Sequence, residues 1–389
     1  MRPAWELAQV FNALGEDFVQ QHPLSLEQRK AFEAIRRCRT AALGGHVDAC
    51  DQCGYVRISY NSCRNRHCPK CQHLATAEWL EERQRMLLPV PYFHLVFTLP
   101  AELHELVRYN ERALYQLLFD AAWNSVQQLA LDPRFVGAQT GMIAVLHTWG
   151  QNLHFHPHVH CIVPGGGWCA KSKKWKPARK HFFLPVKALS RLFKGKFLAT
   201  LKALNQQQAL QIPPESPFEQ RLQQAYAKDW VVYAKAPFAG PQSLIAYLGR
   251  YTHKVAIGNE RILNVSPQQV TFRYRDYADQ NQSKVMTLAI TEFARRFLQH
   301  VLPHGFRKVR YYGILANRTQ QVALAACRKA LKVKVPLPKI VLPWQEKFYQ
   351  LTGVDPTRCP CCEQGKMITV DILPPPRAPP KIPSSALPC

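Results

Sequence analysis

No stretch of eighteen apolar residues occurs anywhere in the sequence, which excludes a membrane-spanning helix of ordinary length. Nothing near the start reads as a secretory leader either: Met1 to Gly15 scatters Arg2, Glu6, Gln9 and Asn12 among its apolar residues. No internal repeat is evident, and no basic amphipathic helix stands out to bind a membrane surface. Acidic residues are scarce, 26 against 51 lysines and arginines, and the net charge of +25 is spread along the chain. The expectation is a soluble cytoplasmic protein with no membrane partner. Its diffuse positive field suits a polyanion, because each phosphate neutralised releases condensed counterions, so nucleic acid is the partner to expect. A chain of 389 residues is long enough for one large domain or two to three smaller ones.

What the sequence does have is cysteine: thirteen in all, six of them between Cys38 and Cys71. Without an export signal, metal binding is the better reading than disulfides. Cys50-x-x-Cys53 and Cys68-x-x-Cys71 lie fourteen residues apart, so each tight turn can aim two sulfurs at one tetrahedral zinc across a hairpin or ribbon. Cys38, His46, Cys63 and His67 supply four more ligands, enough for a second zinc if geometry unites them. Cys359-Pro-Cys361-Cys362 offers half a site, with only Cys389 beyond it. Arg57, Arg64, Arg66, Lys70 and His73 are interleaved with the main cluster, so the folded finger should carry cations toward DNA, with Arg64, Arg66 and Lys70 as candidate contacts.

The periodicity predicts an α+β protein. Ser25 to Arg39 opens with a capping-box pattern, Ser25 with Gln28, and reads as a helix; His73 to Leu88 reads as another, closed by Pro89 and Pro91. Residues 92 to 99, 142 to 149 and 158 to 163 read as strands, and 101 to 131 as a long helix. A helix from 244 to 251, strands at 270–274 and 285–290, a helix from 291 to 301 and a strand-like 309–315 follow. Lys171 to Lys180 is a basic loop containing an aromatic residue, and from about Pro336 proline dominates. The expected division is 1–88 for a zinc-binding DNA-recognition domain, 89–335 for a catalytic domain, and 336–389 for a proline-rich tail with a cysteine cluster, partly disordered.

Two further pairs carry chemistry. His158 and His160 alternate on a strand, so both point to one face and can hold one ion while Val159 packs behind them. Tyr247 and Tyr251 are four apart on a helix, one phenol above the other, with Arg250 and Lys254 supplying charge for phosphate. Either pair alone is as consistent with packing as with catalysis.

Together, CRNRHCPKCQ at 63–72, HPHVH at 156–160 and YLGRYTHKVAI at 247–257 resemble the HUH-type rolling-circle transposases of insertion sequences, in the two-tyrosine group with an N-terminal zinc-binding domain. The likeness spans roughly residues 30 to 320. It implies a central antiparallel sheet flanked by helices, with the histidine strand in the middle and the tyrosine helix alongside. It implies one or two structural Zn2+, and a catalytic Mg2+ or Mn2+ held by His158 and His160. Tyr247 or Tyr251 would attack single-stranded transposon ends and target DNA, leaving a 5′-phosphotyrosine. For a third ligand, Gln151, His154, His156 and His253 stay open. A non-catalytic zinc-finger regulator and a plasmid replication initiator or relaxase are the rival readings. A carboxylate-triad transposase fits poorly, since no acidic residues surround an evident metal motif.

Overall fold

In the computed structural model, helices α1 (Leu7–Leu14), α2 (Asp17–Gln21) and α3 (Leu26–Arg37) come first. α3 starts where the capping pattern places it: the Ser25 hydroxyl accepts the Gln28 amide at 3.3 Å and the Gln28 side chain returns the bond to the Ser25 amide at 2.9 Å. Residues 3–179, 183–215, 217–235, 244, 249, 256–276, 279–334 and 342–376 are described. Strands β1 (Gly45–Cys50) and β2 (Val56–Tyr60) form a hairpin, and α4 (Gln72–Met86) leads into β3 (Tyr92–Thr98).

The expected helix over 101–131 is divided into a 3-10 turn, α5 (His104–Tyr109) and α6 (Glu111–Leu131). At Asn110 the backbone leaves helical geometry, and its side-chain amide holds the carbonyls of Leu106 and Gln211 at 2.9 and 2.8 Å. β4 (Gly141–Trp149), β5 (Phe155–Pro164), β6 (Gly166–Cys169) and β7 (Lys174–Pro177) follow. Next come α7 (Val186–Gln206), α8 (Phe218–Ala227) and β8 (Val232–Lys235), then the meander β9 (Ile262–Val265), β10 (Gln269–Asp276) and β11 (Gln282–Ala289). The helix Ile290–Leu298, β12 (Val309–Gly313), the helices Gln320–Leu331 and Trp344–Thr352, and β13 (Met367–Leu373) complete the order.

The central sheet has the order β12-β4-β5-β3-β8, every neighbouring pair antiparallel, with β5 in the middle. Alternation along β5 divides its side chains. Val159, Cys161 and Val163 enter the main core with Phe119 of α6 and Phe193 and Phe197 of α7. His158, His160 and Ile162 take the other face. There Ile162 joins Ile143, Tyr92, Leu244 and residues of α4 in a smaller cluster.

Packing and strand pairing join residues on both sides of the divisions expected at 88 and 336. Phe11 and Phe32 stack at 4.6 Å, Phe11 meets Phe297 edge-on at 5.6 Å, and all three share one core with Ile257, Phe272 and Phe293. The N-terminal helices thus bury their apolar stripe against residues 256–301. At the other end, β13 pairs with β1 to make the sheet β13-β1-β2, so residues 342–373 of the segment expected as a tail include a helix and a paired strand. Residues beyond 376 lie outside the described set.

Candidate metal centres and nucleic-acid interface

Twelve described cysteines are unpaired as disulfides, and eight of them gather into two clusters. The first unites Cys38 at the end of α3, Cys63, Cys68 and Cys71 at the start of α4. Sulfurs of Cys38 and Cys71 are 3.5 Å apart, those of Cys63 and Cys71 3.6 Å. Four thiolates on a tetrahedral zinc, with bonds near 2.3 Å, lie about 3.8 Å from one another, so the donors fit that ion. A left-handed turn at Arg64 and the Cys68 amide on the Asn65 carbonyl at 3.0 Å fold the loop around the site.

The second cluster is Cys50, Cys53, Cys359 and Cys362. This corrects the expected ligand sets, because Cys50 and Cys53 are not grouped with Cys68 and Cys71. Spacing showed that each pair makes a tight turn, but not which turn faces which. Nor do the two histidines join: His46 lies 3.5 Å from Asp48, and His67 is buried with Nε2 accepting the Leu302 amide at 3.3 Å. The expected cationic face is thinner than its sequence suggests. Arg66 donates to the carbonyls of Phe306, Leu302 and Pro303, and Lys70 pairs with Glu6, whereas Arg64 is exposed.

On the sheet, His158 and His160 do share a face, and strand register adds a third ring. His147 of β4 stands directly across from His158, and nitrogen atoms of His147, His158 and His160 all lie within 4.8 Å of one another. His158 Nε2 and His160 Nε2 are 3.1 Å apart. Nδ1–H of His158 donates to the His156 carbonyl at 2.6 Å, which leaves its Nε2 unprotonated, with the lone pair toward His160. His94 on β3 meets Nδ1 of His160 at 2.9 Å. Desolvation holds three of these rings neutral: His158 is pushed down to about 3, His94 to about 4, and His160 well below the usual imidazole range. Neutral imidazoles are ready metal ligands.

Of the four third-ligand candidates, Gln151 accepts Arg261 through its carbonyl, and His154 and His156 are exposed at the rim. His253 lies outside the described residues, as do Tyr247, Tyr251, Arg250 and Lys254. Their described neighbours are Leu244, buried beside Ile162 and Ile143, and Gly249, where an added Cβ would stand 2.8 Å from Leu80 of α4. A cavity of 790 Å³, lined by Arg112, Arg307, Arg310 and Tyr311 among others, shares no lining with the histidines.

His300 supports this face from behind. Its Nε2–H donates to the Leu153 carbonyl at 3.1 Å and its Nδ1 accepts the Thr148 hydroxyl at 3.2 Å, and burial pushes it down to about 3. The unfolded chain therefore binds a proton here that the native state refuses. Stability contributed by the neutral ring is present above pH 6.5 and lost as pH falls toward 3, with a slope approaching about 1.4 kcal/mol per pH unit. Urea titrations between pH 7 and 4 should show His300→Gln flattening that acid limb relative to the parent chain.

Two cysteine clusters and three converging histidines, set in a chain of +25, offer candidate metal sites within a positive field suited to a polyanion. Comparison then narrows the class. Residues 141–322 match the family described as "Putative transposase" and residues 10–99 match the "Transposase zinc-binding domain". The chain is 46% identical over 387 residues to "Putative transposase y4qJ" of Sinorhizobium fredii, covering 95% of each chain. It is 30% identical over 344 residues to the transposase for insertion sequence element IS801 of Pseudomonas savastanoi pv. phaseolicola, covering 86% of this chain and 82% of that one. The chain belongs to the IS91-type family of insertion-sequence transposases. No solved structure matches it. Among the described residues no helix is long and apolar enough to cross a membrane.

Proposed function

We propose that the protein mobilises an insertion sequence by rolling-circle transposition, cutting and rejoining single-stranded DNA through attack of a tyrosine hydroxyl on a backbone phosphate. The observation that carries this reading is the convergence of His147, His158 and His160 on the sheet face where Leu244 is buried, three residues before Tyr247. Three imidazoles without a carboxylate suit a first-row transition ion, so manganese fits better than magnesium, which prefers oxygen ligands. When bound, such an ion polarises the scissile phosphate and stabilises charge developing on its oxygens.

The chain's own residues do the rest. His158 keeps an unprotonated Nε2 through its bond to the His156 carbonyl, and His94 fixes the ring of His160. The phenol of Tyr247 or Tyr251, with an ordinary pKa of about 10, loses its proton as its oxygen bonds to phosphorus. The bond from phosphorus to O3′ breaks, that oxygen takes up a proton, and a 3′-hydroxyl and a 5′-phosphotyrosine result. The phosphotyrosine keeps the bond energy for rejoining without ATP. A second tyrosine allows one strand to be held while another is processed.

The test is a denaturing gel of the protein incubated with manganese and single-stranded oligonucleotides from the ends of its own element. Trypsin cuts after Lys235, Arg250 and Lys254, which puts Tyr247 and Tyr251 on different peptides. Mass spectrometry of the captured peptide should find the nucleotide on one of these two. Capture by another residue, or none with either end, would defeat the mechanism.

A further inference from the structure

We propose that Cys50, Cys53, Cys359 and Cys362 hold a second structural zinc, distinct from that of the Cys38 cluster, which fastens the C-terminal segment to the β1–β2 ribbon. The zinc-binding family model ends at residue 99, so it contains only half of this ligand set. The reading is independent of the catalytic one.

The donor geometry suits the ion. Sulfurs of Cys50 and Cys362, and of Cys53 and Cys359, are each 3.7 Å apart, close to the edge of a tetrahedral tetrathiolate. Backbone amides point at the sulfurs from both turns: Gln52 and Cys53 to Cys50 at 3.4 and 3.5 Å, Cys361 to Cys359 at 3.4 Å, and Gly365 to Cys362 at 3.3 Å. Such bonds orient thiolates and stabilise their charge. Gly365 is required by close approach, since a Cβ there would stand 2.3 Å from the Cys50 sulfur. Four protein ligands close the shell and leave no position for water, which makes the ion structural.

The backbone around the site is joined across the same termini. Asp51 accepts the Lys366 amide at 2.8 Å through its carboxylate and donates its own amide to the Lys366 carbonyl at 3.1 Å. Asp48 accepts the Thr369 hydroxyl at 2.9 Å and Arg57 at 3.1 Å, and Arg57 reaches the Pro356 carbonyl at 3.4 Å. Cys361 is exposed and stands outside the ligand set. The ribbon of the zinc-binding domain is thus completed only when the last part of the chain has arrived.

Elemental analysis of the purified full chain should give two zinc ions per molecule. Cys359→Ser with Cys362→Ser should reduce this to one, Cys50→Ser with Cys53→Ser likewise, and the four substitutions together should cost no further zinc. Cys361→Ser should retain both. A Cys359/Cys362 double variant that keeps two ions, or a parent chain that holds one, overturns the proposal. Misfolding is controlled by a protease site inserted after Lys334. The cut parent should retain its C-terminal fragment on gel filtration, whereas the cut Cys362→Ser chain should release it while keeping one zinc. Retention by that variant, or release by the zinc-loaded parent, counts against the clasp.

Discussion

Alanine at His158 or at His160 is expected to lower covalent capture of single-stranded DNA by about a hundred- to a thousandfold while leaving DNA affinity nearly unchanged. The size follows from what a bound ion supplies, several kcal/mol of charge stabilisation at about 1.4 kcal/mol per tenfold in rate. Affinity is spared because it rests on the diffuse positive charge of the chain and not on the desolvated rings of His158 and His160. The decisive member of the series is His147→Ala. If all three imidazoles serve one ion, this variant falls with the other two and loses manganese binding by calorimetry; capture near the parent rate would reduce His147 to a packing residue. His94→Ala should act less strongly, weakening manganese affinity about ten- to a hundredfold, as removal of a ring that only orients a ligand does. Gln151→Ala and His154→Ala are expected to stay close to the parent, since Gln151 holds Arg261 through its backbone carbonyl and His154 is an exposed ring bonded to Asn152.

The difference between His147 and the other two histidines shows how far strand patterns can be read. β5 alternates between half-buried or exposed and buried positions around its histidines, so His158 and His160 were assignable to one face from the sequence. β4 is buried at eight consecutive positions because its neighbours cover both of its faces. An apolar run of that kind announces a central strand without saying which side any residue takes, and only the pairing of His147 with His158 settles it. The capping box of α3 and the strands at 92, 142 and 158 were legible for local reasons. The cysteine partition was not local. Two-residue spacing within each turn predicts a pair of sulfurs, while the choice of opposing turn depends on contacts between residues about three hundred positions apart. The cationic finger surface is thinner than its sequence suggests for a related reason: a charge pattern cannot tell a solvated arginine, like Arg64, from one that, like Arg66, satisfies three carbonyls.

The same nonlocal logic makes Phe297→Ala the most damaging core substitution to expect near the zinc domain. Phe297 is fully buried on the helix Ile290–Leu298, and its ring meets Phe11 edge-on while Phe11 stacks on Phe32. Removing a buried phenylalanine costs about 3–5 kcal/mol, from lost transfer energy and from the cavity left behind. Because α1 and α3 have their apolar stripes against this helix, the loss should fall on both parts of the chain in one transition. Urea unfolding followed by tryptophan fluorescence, alongside zinc release from the Cys38 cluster, would then give coincident midpoints in the parent and a common shift in the variant. Separate transitions, with the zinc cluster untouched by Phe297→Ala, would instead mean that residues 1–88 fold by themselves. The contacts argue for the joint outcome: Cys38 and Cys68 lie in the same buried cluster as Phe293 and Phe297, so the walls of the first metal site are partly built from the far end of the sequence.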